Sequence, residues 1–145
     1  MKLRTIGYEA ATQAAVIDCL KRAGVEVVID VRAVASSRRA GFSKTVLAAS
    51  LADAGIGYVH LRCLGTPKAG RQAVRAGHIA EMERIYEAHL QEPQVQLELA
   101  QALEIARERS AALLCYEADA LHCHRRIVAG SLTQAEAFEV EDLTP

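Results

Sequence analysis

Short, nearly continuous apolar runs alternate along the chain with longer stretches whose apolar residues recur at helical spacing. The runs at 2–8 (KLRTIGY), 25–31 (VEVVIDV), 57–61 (GYVHL) and 111–116 (AALLCY) have strand length and are rich in apolar and β-branched residues. They predict buried strands of a parallel sheet, with 25–31 the strongest. Between them, Ala14, Val16, Ile17, Leu20 and Ala23 predict a helix opened near Glu9 or Thr12 and closed by Gly24. Ser43 opens a second helix to about Ala54, closed by Gly55. A third covers about 78–91 and stops before Pro93. A fourth covers about 94–109, with Val95, Leu99, Ala102, Leu103 and Ala106 on its inner face. A last helix runs to about Ala135, and 137–143 predicts a short final strand. The order β-α-β-α-β-α-α-β-α-β predicts a single α/β domain over residues 1–145. It is a three-layer sandwich around a mostly parallel central sheet of about five strands. Two stretches read as loops: the polar 33–42, and 63–77 with Gly65, Pro67, Gly70 and Gly77, which is long for a connection in a compact domain.

The most informative stretch is 111–126, AALLCYEADALHCHRR. Its apolar run ends at Glu117, a turn follows, and Asp119 is a reasonable N-cap for a helix carrying His122, Cys123, His124, Arg125 and Arg126 in its first turns. The passage from a strand's carboxyl end to a helix N-terminus is where α/β proteins place ligands, and its free N–H groups favour anions. Asp30 and Arg32 alternate with Val31 at the end of the strongest strand, so they point to one side. A single cleft is expected there.

Charge sharpens the picture. The net charge is −1, which argues against a protein coated in nucleic acid. From Arg32 to Arg75, however, eight bases (Arg32, Arg38, Arg39, Lys44, Arg62, Lys68, Arg71, Arg75) stand against one acid, Asp53. A positive face is expected, favouring an anionic ligand; a solvated basic loop is the plainer alternative. No apolar run approaches the roughly 20 residues of a membrane span, and no signal-peptide pattern opens the chain, so a cytoplasmic protein without membrane contact is expected. There the four cysteines (Cys19, Cys63, Cys115, Cys123) default to reduced thiols.

The candidate chemistry sits on a few side chains. Cys115 is a nucleophile or a buried apolar group; Cys123, nearer the helix start and Arg125, is better placed to be a thiolate. Glu117 is the best acid–base candidate because it leaves a buried strand into the expected cleft. Its plain alternative is a loop carboxylate paired with Arg125 or Arg126. Asp30 is expected in an ion pair with Arg32 or Arg125 that orients a site or merely holds it together. His122, Cys123, His124, Cys115, His60 and Cys63 are metal-ligand types. Neighbours on a helix point apart, however, and no C-x-x-C pair occurs, so no metal and no cofactor is expected.

Taken together, TIGYE, DVR followed by SRRAGFSK, GIGYVHLRCLG and LLCYEADALHCHR resemble the bacterial and archaeal family known as domain of unknown function 488, over nearly the whole chain. The resemblance implies an α/β sandwich. It points to Tyr8, Asp30, Arg32, Ser37, Arg38, Phe42, Lys44, Cys115, Glu117, Cys123, His124 and Arg125, but it implies no activity. Two departures stand out: Ala120 replaces a usual proline, and the loop after Leu64 is shorter and more basic. A looser likeness is to rhodanese-type sulfurtransferases and low-molecular-weight phosphatases, which also place a cysteine after a buried strand. The phosphatase loop needs an arginine where Leu121 stands, so that anion cradle is excluded.

The resulting expectation is a small enzyme acting on a phosphate- or nucleotide-like ligand. Arg32, Arg38, Lys44 and Arg125 bind the anion. Glu117, Cys123, Cys115 or Asp30 carries the chemistry, and Tyr8 and His124 complete the cleft. The alternative is a non-catalytic module that binds a metabolite or nucleic acid with the same basic rim.

Overall fold

A computed structural model of the protein describes residues 1–120 and 123–145. Five strands form one sheet: β1 (Lys2–Gly7), β2 (Val27–Asp30), β3 (Gly57–His60), β4 (Ala111–Cys115) and β5 (Glu139–Leu143). They are all parallel, in the order β3-β2-β4-β1-β5. Among the described residues six α-helices cover the sheet: α1 (Gln13–Arg22), α2 (Lys44–Asp53), α3 (Lys68–Arg75), α4 (Ile79–Leu90), α5 (Pro93–Glu108) and α6 (Arg125–Ala135). The architecture is the expected three-layer α/β sandwich.

Period-two alternation along the buried strands builds two cores. Leu3, Val27, Ile29 and Leu113 face the side packed by Met82, Tyr86, Val95, Ala102, Val128 and Leu132 of α4–α6. Ile6, Val28, Ala112 and Leu114 face the other side, against Val16 and Leu20 of α1 and Leu47 and Leu51 of α2. Cys115 belongs to the first core, so its side chain lies on the side of α6.

The topology fixes where a ligand can approach. From β1 the chain passes through α1 to β2 on one side of the sheet. From β4 it passes through α6 to β5 on the other side. Adjacent β1 and β4 thus send their connections to opposite faces, which opens a crevice at their carboxyl ends. In that crevice Gly7 pairs with Cys115.

Two local expectations are corrected. The stretch 63–77 is not one loop: a 3-10 turn at Arg62–Leu64 leads into α3. Pro67 is the N-cap of α3, and Gly70 is buried where a Cβ would press on the Thr66 methyl, so both serve helix entry and close packing. The last helix begins at Arg125 with His124 as its N-cap, so Asp119 is not the cap and Cys123 precedes the helix. The expected place of His122 in that first turn lies outside the described residues. Elsewhere the caps follow the sequence. Thr12 accepts a hydrogen bond from the Ala15 N–H (3.1 Å), and Gly24 and Gly55 take positive φ just past their helices.

Gly7 is required by proximity: a Cβ there would overlap the Glu117 carbonyl and touch the Arg125 guanidinium. Gly7→Ala should therefore destabilise the fold by about 4 kcal/mol or more, the range of severe core lesions. Urea unfolding checks this, and a loss below about 1 kcal/mol would show that the turn after Cys115 can move aside.

Candidate active site

Two polar clusters occupy the carboxyl edge of the sheet, one on each face. The first is built on Asp30, which is fully buried at the end of β2. Its carboxylate accepts the Arg32 backbone N–H (3.0 Å), Arg32 Nε (2.9 Å) and Nη2 (2.7 Å), and the Tyr58 hydroxyl (2.5 Å). Arg32 Nη1 donates to the Tyr8 hydroxyl (3.0 Å) and to the Phe42 carbonyl (2.7 Å). Tyr8 stacks on Phe42 with ring centroids 4.2 Å apart. Burial works against the Arg32 charge, but Asp30 and Tyr8 more than compensate and push its pKa up. Burial and the bond to Asp30 likewise push Tyr58 up. The pair also shapes the loop 33–42. Phe42 is anchored by Arg32, Ser37 and Ser43 bond to each other, and Arg39 donates to the carbonyls of Glu9 and Ala11. Arg38 and Lys44 remain exposed on its outside.

The second cluster gathers around Arg125, which is fully buried at the start of α6. Nη1 donates to Cys115 Sγ (3.0 Å) and to the Glu117 carbonyl (2.5 Å), and Nη2 to the Ala118 carbonyl (3.2 Å). Among the described residues no carboxylate lies within ion-pair distance of it, and its buried Nε has no partner. Burial pushes its pKa down, and the more distant charges of Asp142, Glu117 and Asp119 oppose that. The sulfur atoms of Cys115 and Cys123 meet at disulfide contact, with their Cα atoms 7.6 Å apart, while Cys19 and Cys63 are free. Four independent reduced thiols, the sequence expectation, thus become two free thiols and one convergent pair.

His124 completes this cluster. Its Nε2–H donates to the Val31 carbonyl (2.7 Å), Nδ1 lies 3.7 Å from Cys123 Sγ, and the ring packs on Tyr86. Burial pushes its pKa down to about 4, so the imidazole is neutral. Cys115 Sγ also lies 3.4 Å from Glu117 Oε2. Burial pushes the Glu117 carboxyl up, against the opposing pull of its own backbone and of Arg125.

A cavity of about 390 Å³ opens beside this second cluster. Arg71, Val74 and Arg75 of α3 line it with Thr66, Tyr116, Glu117 and His124. Arg71 is held by a bond to the Thr66 carbonyl (2.8 Å). A larger cavity of about 500 Å³ lies between α5 and α6, but no ionisable side chain lines it. The structure therefore brings Cys115, Glu117, Cys123, His124 and Arg125 together on one side. Asp30, Arg32 and Tyr8 stand on the other, joined to the first group through the backbone of Val31. Arg32, Arg38 and Arg125 do not converge: the first and last donate to protein acceptors, and Arg38 faces solvent. His60 and Cys63 lie apart, bonded to the Arg32 carbonyl and to Glu98 and His89 respectively. The sequence reading missed the cavity wall of Thr66, Tyr116 and the α3 arginines. The signal was present, since Arg71 and Arg75 are four apart and share a helix face.

A family model described as Domain of unknown function DUF488 matches residues 12–132, most of the chain. No curated protein and no solved structure gives a match.

The buried pair of the first cluster gives a direct test. Asp30→Asn leaves the Arg32 charge without its partner and should cost about 3–5 kcal/mol. Tyr58→Phe, which removes one donor, should cost only about 1 kcal/mol. Chemical denaturation of both variants measures the difference, and equal effects would contradict the central place given to the pair.

Proposed function

The chain belongs to the DUF488 family, whose description carries no activity, and we propose that it is a small cytoplasmic enzyme acting on a phosphate- or nucleotide-like anion in the 390 Å³ cavity. One observation carries this reading. Two guanidiniums on one face of α3, Arg71 and Arg75, line the same cavity as the Glu117 carboxyl and the His124 imidazole. Guanidiniums hold oxyanions in fixed, often bidentate geometry, and a carboxyl at the end of a buried strand is placed to move a proton on the held ligand. The cavity lies between α3 and the turn that follows β4, at the carboxyl edge of the sheet, where open parallel sheets bind ligands. Among the described residues no helix is long and apolar enough to cross a membrane, which agrees with a ligand met in solution.

In this reading Arg71 and Arg75 take the anion-binding role, and Glu117 transfers protons. Arg125 holds the turn that carries Glu117 through the carbonyls of Glu117 and Ala118. Asp30 and Arg32 keep the loop 33–42 in place from the other side of the sheet. The competing reading is a non-catalytic binding module using the exposed Arg38 and Lys44.

Titration with inorganic phosphate and with a nucleoside monophosphate, followed by NMR, separates the two. Arg71→Ala and Arg75→Ala should each weaken binding by about 10-fold or more, the worth of one charged hydrogen bond, and Arg38→Ala should leave it unchanged. Loss with Arg38→Ala and none with the α3 variants would favour the module.

A further inference from the structure

The convergence of Cys115, Cys123 and His124 goes beyond what an anion site requires. Three buried donor atoms, two sulfurs and one imidazole nitrogen, lie within 4.8 Å of one another. They come from two elements, the end of β4 and the two residues before α6. The expectation that neighbouring histidines and cysteines diverge applies inside a helix. Here Cys123 and His124 precede its first residue, and Cys123 Sγ and His124 Nδ1 are 3.7 Å apart.

Two chemistries bring a pair of thiols to one point: a disulfide, or thiolates around a soft cation. The backbone spacing favours the second. Disulfides ordinarily span Cα separations of about 4.4–6.8 Å, and here the separation is 7.6 Å. Two metal–thiolate bonds of about 2.3 Å at a tetrahedral angle set the sulfurs about 3.8 Å apart, which suits a wider backbone spacing. The surroundings fit as well. The bond from His124 Nε2–H to the Val31 carbonyl (2.7 Å) leaves Nδ1 with its lone pair on the side of the sulfurs. A backbone carbonyl on the far nitrogen is the usual support of a metal-binding histidine. Each sulfur also receives an N–H: Cys115 from Arg125 Nη1 (3.0 Å) and Cys123 from the Arg125 backbone (3.5 Å). Such donors stabilise thiolates.

From this geometry we infer that Cys115, Cys123 and His124 bind one borderline-soft divalent cation of the zinc type. Binding replaces the two thiol protons, which leave to solvent, and changes no oxidation state. Three protein ligands leave the fourth tetrahedral position open, as in catalytic rather than structural zinc sites. His124 is shared between the trio and the cavity, so the cation lies at the inner end of the cavity proposed for the anion. The two charges of the cation balance two thiolates, and the Arg125 guanidinium beside Cys115 Sγ favours its thiolate form.

The test is a cobalt(II) titration of the chain purified under a thiol reductant, with metal content, absorption and released protons read together. The expected result is one cobalt per chain, tetrahedral absorption with a thiolate-to-cobalt charge-transfer band, and about two protons released. Cys123→Ser should lose about half of the charge-transfer intensity or the binding itself, while Cys63→Ser should keep both. Should Cys123→Ser fail to fold, the proton count and the band on the unaltered chain still decide. A reduced, folded chain that takes up no cobalt would overturn the inference. So would uptake indifferent to Cys123→Ser, or a Cys115–Cys123 crosslink persisting under reductant in peptide mass mapping. None of these readouts reports anion binding at Arg71 and Arg75, so the two proposals fail separately.

Discussion

A buried guanidinium with no carboxylate in contact among the described residues organises the carboxyl edge of this sheet. Arg125 sits under the turn that follows β4 and holds it by two backbone carbonyls and the Cys115 sulfur. A charge removed from water without an ion pair is costly, and hydrogen bonds to carbonyls and sulfur offset only part of that cost. The chain accommodates it by bringing β1 close, which is why Gly7 cannot carry a side chain. The direction of Glu117, the position of Cys115 and the start of α6 all follow from this arrangement. It also explains why Arg125 makes a poor ligand for an external anion: Nη1 and Nη2 already have acceptors within the protein, and Nε has no partner among the described residues.

Across the sheet, Asp30 and Arg32 solve the opposite problem. There the buried charges are matched, and the surplus donors of Arg32 reach Tyr8 and Phe42. Removing either charge strands the other, so the pair defines the loop 33–42 more than it adds net stability. The backbone of Val31 links the clusters: its carbonyl accepts the His124 bond, and its neighbours are Asp30 and Arg32. One strand end thereby supports both halves of the crevice.

The legible parts of the sequence are those where local pattern and tertiary burial agree. VEVVIDV and AALLCY are apolar on both faces because helices cover both faces, and their lengths exclude helices. Asp30 and Arg32 were recognisable as partners because a residue between them turns the other way. The α3 helix was hidden because Gly65, Pro67 and Gly70 are loop signals locally, although Pro67 only opens the helix and Gly70 only makes room for Thr66. With α3 went the cavity wall, so Arg71 and Arg75 were counted in the basic segment but not placed. The thiol convergence was hidden by a shift of the helix start. Nothing local marks that Cys123 lies before α6 rather than within it, and on that shift depends whether Cys123 and His124 point together or apart.

The proposed ligand site is the cavity between α3 and the turn that follows β4. The most direct measurement is the position of an anomalously scattering oxyanion, selenate, soaked into crystals of the unaltered chain. The expected result is a peak within hydrogen-bond reach of Arg71 and Arg75, in the cavity shared with Glu117 and His124. A peak at Arg38 and Lys44 with none in that cavity would contradict it.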